Sequence, residues 1–368
     1  MESPSASEVQ SRPATQGSAP AQSRIPPGDD VLAHRVVNRL PRLAPAAAAM
    51  SYPFLLLGFH LAVSAPAGSL SIARIVVSAL CLFGAMAVPL YGLAAAFRQT
   101  KVCSSLFELR ARRLAYITIG VPPFFVLTGV TLGLLHLQVN DKLAWIVGWL
   151  AASVYVLLGS DSVHEPAAAQ PISKLRVGHG VAAALVVGYV LFHLSNHLLG
   201  LVGPDLHASV MEAGRRVYRS HIVEPVLVGL MLFQVISGAR LAWRWSAVPA
   251  DAYRVFQIGS GIYLAAFIVT HLNSALVSAR TVHKIETNWA WASGAPAGLI
   301  HDAWNIRLVP HYAFGVFFIL AHLSSGLRGV VIAHGMNTTV ANRLWTVGLV
   351  VSGLVSVAIL SGLCGARI

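Results

Sequence analysis

The chain reads as an all-α, polytopic membrane bundle of about nine transmembrane helices, and three observations lead there. Its 368 residues are 56% hydrophobic and 11% charged, with a mean hydropathy of +0.67. A soluble domain of this size needs more charge to cover its surface. The apolar residues are also gathered into stretches of the roughly 20 residues that a helix needs to cross a bilayer core. These lie near 45–64, 72–97, 115–137, 143–160, 178–202, 223–245, 256–279, 308–333 and 343–364. Finally, the net charge of +12 is distributed unevenly about these stretches. If alternate loops are assigned to alternate sides, most Lys and Arg fall on the side that holds the N-terminus. That predicts a cytoplasmic N-terminus and a C-terminus outside. No basic patch is interleaved with aromatics, so nucleic acid is not an expected partner; the lipid bilayer is.

Taken in order, residues 1–43 are rich in Ser, Pro, Ala and Gln and are expected to form a disordered cytoplasmic tail. The first apolar stretch could imitate a signal peptide, but the long tail before it and the spans after it mark a retained helix. The loop Arg98–Arg113 is the densest basic segment, with Arg98, Lys101, Arg110, Arg112 and Arg113. The third stretch contains Pro122-Pro123, a kink tolerated in a membrane helix if neighbours satisfy the freed carbonyls. After the fourth, the polar segment "GSDSVHEPAAAQPISKLR" (159–176) divides a four-helix region, 44–165, from a five-helix region, 166–368. Cys81, Cys103 and Cys364 form no CxxC pair and no CxxCH haem-attachment motif. Arg outnumbers Lys and Ala is abundant, as in proteins of GC-rich bacteria, so the bacterial inner membrane is the expected location.

The five-helix region repeats the phrase His-Leu-(Ser/Asn)-(Ser/Asn), as "FHLSN" at His193, "THLNS" at His271 and "AHLSS" at His322. Each is preceded by apolar residues and, further back, by a glycine: Gly188, Gly261 or Gly315. A single intramembrane histidine commonly does no more than hydrogen-bond a neighbouring helix. Three in one unit point towards function, because ionisable groups are rare in a bilayer. His193 and His271 both lie roughly 22 Å along helices that start on the cytoplasmic side. Two imidazoles at equal depth on neighbouring helices can clamp one b-type haem iron. His197, one turn from His193, is the alternative ligand.

His322 lies towards the cytoplasmic side, where its opposite number on the sixth span is Gln234, a poor ligand for haem iron. His179 is a shallower alternative. Arg215, Arg216, Arg219 and Arg280 are candidates to neutralise haem propionates. His60 and His136 read as interfacial, whereas His221, His283, His301 and His311 read as solvated groups in or beside the outer loops.

"RRVYRSHIVEPVLVGLMLFQVISGARLAWRW" (215–245) and "FQIGSGIYLAAFIVTHL" (256–272) carry a resemblance. Their Tyr-x-Ser-x-x-x-Glu-Pro, Ser-Gly-x-x-Leu and Gln-x-x-Ser-Gly-x-Tyr-Leu patterns resemble the transmembrane domain of a fungal mitochondrial outer-membrane adaptor linked to lipid homeostasis. That domain is similar in turn to the five-helix cytochrome b anchors of succinate dehydrogenase and fumarate reductase. The resemblance covers roughly residues 176–334. It implies His193 and His271 as ligands of one haem, and His322 with the Gln234 position for a second. Because Gln234 stands where the fungal pattern has His, one haem is better supported than two.

Two functions are therefore expected to compete. One is a membrane b-type cytochrome that carries electrons across the membrane or senses redox state, exchanging electrons with a quinone or with an electron-transfer or signalling subunit. No flavin or iron–sulfur motif occurs, so the chain is at most the cytochrome b subunit of an oxidoreductase. The other is a haem-free structural or adaptor protein of membrane or lipid homeostasis. Transport has little support, since acidic residues are nearly absent from the spans and Glu224 is the closest.

Overall fold

Five of the eleven long helices begin where a Ser, Asn or Asp side chain caps the first turn. The computed structural model describes residues 37–64, 71–101, 103–162 and 173–368, and its regular elements there are all helical. They are α1 (Ala44–Val63), α2 (Ile72–Phe97), α3 (Leu106–Ile119), α4 (Val121–Leu134), α5 (Asp141–Leu157) and α6 (Ser173–Leu199). There follow α7 (Pro204–Tyr218), α8 (Val223–Trp245), α9 (Ala252–Leu272), α10 (Leu308–Ala333) and α11 (Thr338–Leu363), with short helical turns between them. Ser105 accepts from the Glu108 amide at 3.2 Å, while the Glu108 carboxylate reaches back to the Ser104 amide at 2.7 Å. Asn140, Asp251 and Asn337 cap α5, α9 and α11 in the same way, each accepting backbone N–H groups that the first turn leaves unpaired.

Among the described residues, seven helices are long and apolar enough to cross a membrane, or up to eight if α3 and α4 count as one span. The chain is thus a helical membrane protein. Two of the nine expected spans differ in form. The third begins earlier than expected, at Leu106, and breaks at Gly120 with a bend of 73°. Pro122 and Pro123 lack the amide hydrogens that would continue α3, so a new helix starts instead. Thr270 Oγ1 on α9 donates to the Pro123 carbonyl at 3.1 Å. The fourth, α5, has 17 residues and a length of about 26 Å, short of the ~30 Å hydrocarbon core.

Hydrogen bonds show which helix ends lie together. Arg112 donates to the carbonyls of Lys101, Ser246 and Val248, and the Phe107 amide donates to the Ser160 carbonyl. Arg113 and Arg254 stack on Trp243 and Trp245, and Arg328 stacks on Tyr253. All of these groups share a basic end. At the far end, Asp141 pairs with Arg307 at 2.9 Å and the Ile368 amide donates to the Leu201 carbonyl. Residues Pro41–Ile368 pack as one compact unit. The expected tail lies mostly outside the described residues, and so does the expected boundary at 165/166.

The central helix is α9, which touches α3, α4, α8 and α10. Its Tyr263 is fully buried, donates to the His311 carbonyl at 2.8 Å and packs on Phe318. In the N-terminal helices, Tyr52, Phe125, Trp145 and Trp149 form an edge-to-face chain with centroids 5.8, 5.3 and 5.6 Å apart. Each such contact adds about 1 kcal/mol beyond the area it buries. Past Leu272, α9 continues as a π-helix, Asn273–Val282, which carries Arg280 to the start of α8.

Candidate functional site

The histidines collect in two tiers. In the far tier, His193 on α6 and His271 on α9 stand with ring centroids 6.0 Å apart. Both are half-buried. Tyr189, one turn earlier on α6, stacks on His193 at 5.7 Å, and Phe267, one turn earlier on α9, stacks on His271 at the same distance. Gly315 on α10 makes room for Phe267, since an added Cβ would lie 2.3 Å from its ring.

His197 meets His193 edge-on at 4.7 Å but faces away from His271, towards His207 at 5.5 Å and Trp289 at 6.3 Å. Of the two candidates on α6, His193 is the one placed against His271. His207, on α7, was not singled out from the sequence. It is 2% exposed and packs on Trp289 at 4.8 Å. The signal was available: α7 is strongly amphipathic, and His207 and Met211 fall on its buried face one turn apart. Burial, and next the charge of Arg215, hold the His207 ring below its ordinary pKa and so neutral.

His311 corrects an expectation. It is not solvated beside a loop but 2% exposed within α10, packed on Phe267 at 4.6 Å. The helix begins at Leu308, so His311 already sits in its first turn against α9. The Nδ1 atoms of His197, His207 and His311 are buried with no hydrogen-bond partner among the described residues. Three of the four expected propionate partners are engaged: Arg280 grips the Glu224 carboxylate. Arg215 bonds Glu286 and the Thr287 carbonyl, and Arg219 bonds Thr287 Oγ1.

The second tier lies towards the basic end. Gln234, the expected opposite number of His322, is engaged with α6. The Gln234 amide donates to the His179 backbone carbonyl at 2.8 Å, and His179 is itself part of this tier. His179 Nδ1 is 2.8 Å from Ser237 Oγ, and His322 Nδ1 is 2.9 Å from Ser260 Oγ. Beside these serines, Gly238 and Gly261 admit the Cε1 edges of the same two rings, at 3.2 and 3.1 Å from where a Cβ would stand. The sequence signal here is a repeat, Gln234-Val-Ile-Ser237-Gly238 and Gln257-Ile-Gly-Ser260-Gly261. A groove of about 350 Å³ between α3, α4, α8 and α9 is lined by both glycines and reaches Arg113 at its basic end.

A haem iron held between two imidazoles needs two metal–nitrogen bonds of about 2 Å and about 1 Å more from each nitrogen to its ring centre, or about 6 Å in all. The 6.0 Å separation of His193 and His271 meets that requirement. Among the described residues, no three His, Cys, Asp or Glu side chains converge as a chelate for a bare metal ion. No family model matches this chain, and neither does any curated protein or solved structure.

Proposed function

We propose that the protein is an integral membrane b-type cytochrome that moves electrons across the bilayer or reports redox state to a partner subunit. The observation that carries this is the 6.0 Å spacing of His193 and His271, on two helices and braced by Tyr189 and Phe267. The sequence patterns in residues 215–245 and 256–272, read above as resembling cytochrome b anchors, agree with this reading. Haem b, when bound, supplies the one-electron iron couple.

The chain's own residues do the rest. His193 and His271 present neutral imidazoles, each fixed in orientation by an aromatic ring one turn before it. His197, His207 and Trp289 pack together beside His193. Were haem bound, Arg219, which here bonds Thr287, would be the arginine to hold a propionate, whereas Arg280 keeps Glu224 neutralised. The apolar groove beside α9 gives a lipid-soluble quinone a path to the bundle. On this reading the dense Lys and Arg at the basic end, with the N-terminus, face the cytoplasm of a bacterial cell.

The test is a reduced-minus-oxidised absorption spectrum of the purified chain after expression with ample haem precursor. A b-type spectrum is expected, and the His271→Ala variant should lose the haem held there. A colourless wild-type protein refutes the proposal and favours the haem-free adaptor reading.

A further inference from the structure

The groove between α3, α4, α8 and α9 has an apolar body and a cationic mouth. Phe124 and Leu127 of α4 face Ile262 of α9 across it, and the small Ala239 of α8 keeps it open on one side. Its walls are fixed. The Phe124 ring leans on Gly120, where an added Cβ would stand 2.7 Å from it, and Thr270 ties the Pro123 carbonyl to α9. The bend between α3 and α4 is therefore held in place beside the groove.

At the mouth, Arg113 donates its Nε–H to Ser246 Oγ and an Nη2–H to the Trp243 carbonyl, both at 3.1 Å. Its guanidinium lies 3.5 Å from the centre of the Trp243 ring. These contacts fix its plane and use two of its five N–H groups, so the others are left for a ligand. The neighbouring Arg112 is 4% exposed, donates to the Ser246 and Val248 carbonyls, and has a buried Nε with no partner. Among the described residues, neither arginine pairs with a carboxylate. Carbonyls hold a guanidinium but do not cancel its charge, and two such charges at a membrane surface call for an anion.

Depth adds the second requirement. Gly238 lines the groove eight residues before Ser246, about 12 Å along α8. That is close to half of the ~30 Å hydrocarbon core, the depth that one leaflet's acyl chain covers. An anion that fits both parts carries its charge at the surface and a hydrocarbon chain below it.

We propose that the groove binds one anionic phospholipid from the leaflet at the basic end. Its phosphate takes the free N–H groups of Arg113 and neutralises the Arg112–Arg113 pair, while one acyl chain lies in the groove. A zwitterionic lipid brings an ammonium that the two arginines repel, so the site selects anionic headgroups. The lipid braces α3 and α4 against α8 and α9 at the bend. None of this rests on the haem reading. A quinone using the same groove must first displace the lipid.

The test uses the full chain in non-ionic detergent, stripped of lipid. It is titrated with phosphatidylglycerol or phosphatidylcholine of identical acyl chains, and bound lipids are counted by native mass spectrometry. The wild type should bind one phosphatidylglycerol about tenfold more tightly than phosphatidylcholine. Arg113→Gln should abolish that preference, and Arg113→Lys should restore part of it. Ala239→Trp fills the groove and should weaken phosphatidylglycerol binding with both arginines intact. Glycerol phosphate, a headgroup without chains, should not compete.

Equal affinity of the wild type for the two lipids overturns the proposal, and so does a preference that survives Arg113→Gln. Competition by glycerol phosphate would mark an anion site without a lipid and would also overturn it. Ubiquinone that saturates the wild type while neither lipid is preferred would give the groove to a quinone instead. Should Arg113→Gln fail to fold, Ala239→Trp decides, because Ala239 is exposed and its replacement leaves the core intact. Unchanged phosphatidylglycerol binding in that variant overturns the proposal.

Discussion

Replacing Asp141 by Asn strands the Arg307 guanidinium between α5 and the start of α10. In the wild type the pair is 2.9 Å apart, with the Arg307 side chain 8% exposed and the Asp141 side chain 20% exposed. Arg307 also stacks on Trp304 at 3.7 Å, lies over Phe125 at 4.6 Å and donates its Nε–H to the Trp304 carbonyl. These contacts hold a cation but do not neutralise it. Breaking a buried pair on one side costs about 3–5 kcal/mol. The exposure of Asp141 sets the expectation at the lower end, about 3 kcal/mol.

At roughly 2 °C per kcal/mol for a chain of this size, Tm should fall by about 6 °C. Thermal unfolding in detergent, followed by circular dichroism, measures it. The double variant Asp141→Leu with Arg307→Met removes both charges and should recover most of the loss, because no ion remains desolvated. If Asp141→Asn keeps Tm within about 1 °C of wild type, or if the double variant is no better than the single, the reasoning fails.

Two further predictions follow from groups outside the spans. The His207 pKa is lowered in the fold, so the unfolded chain binds the extra proton first as pH falls below its ordinary 6.5. Stability is therefore full above that value and declines below it. His207→Gln should show a shallower fall in Tm between about pH 7 and pH 5 than the wild type; equal slopes would refute the buried neutral ring. Cys364 is exposed at the far end, beyond α11. With Cys81 and Cys103 changed to Ser, it should react with a membrane-impermeant maleimide on intact cells. Labelling only after lysis would reverse the proposed orientation.

The apolar stretches by themselves determined that this is a helical membrane protein, because span length and lack of charge are local properties of the chain. Equal depth on α6 and α9 was likewise legible, since residue number times helical rise locates His193 and His271 without any tertiary knowledge. Facing was not legible. A one-dimensional count assigns a depth to His311 and Gln234 but not the side of the helix on which a neighbour lies. Packing alone decided that His311 is buried against Phe267, that Gln234 turns to the His179 carbonyl, and that Arg280 serves Glu224.

The same limit applies to the repeated Gln-x-x-Ser-Gly. Its two copies were visible as residues, yet each gains meaning only from a histidine brought to it by another helix, 58 positions away for Ser237 and 62 for Ser260. The bend at Gly120 lies between these cases. The prolines foretold a kink, but its angle depends on how α3 meets the loops at the basic end and how α4 meets α9. Local propensity sets where a helix starts and stops, whereas the partner of each side chain depends on contacts far away in sequence, which exist only once the helices have packed.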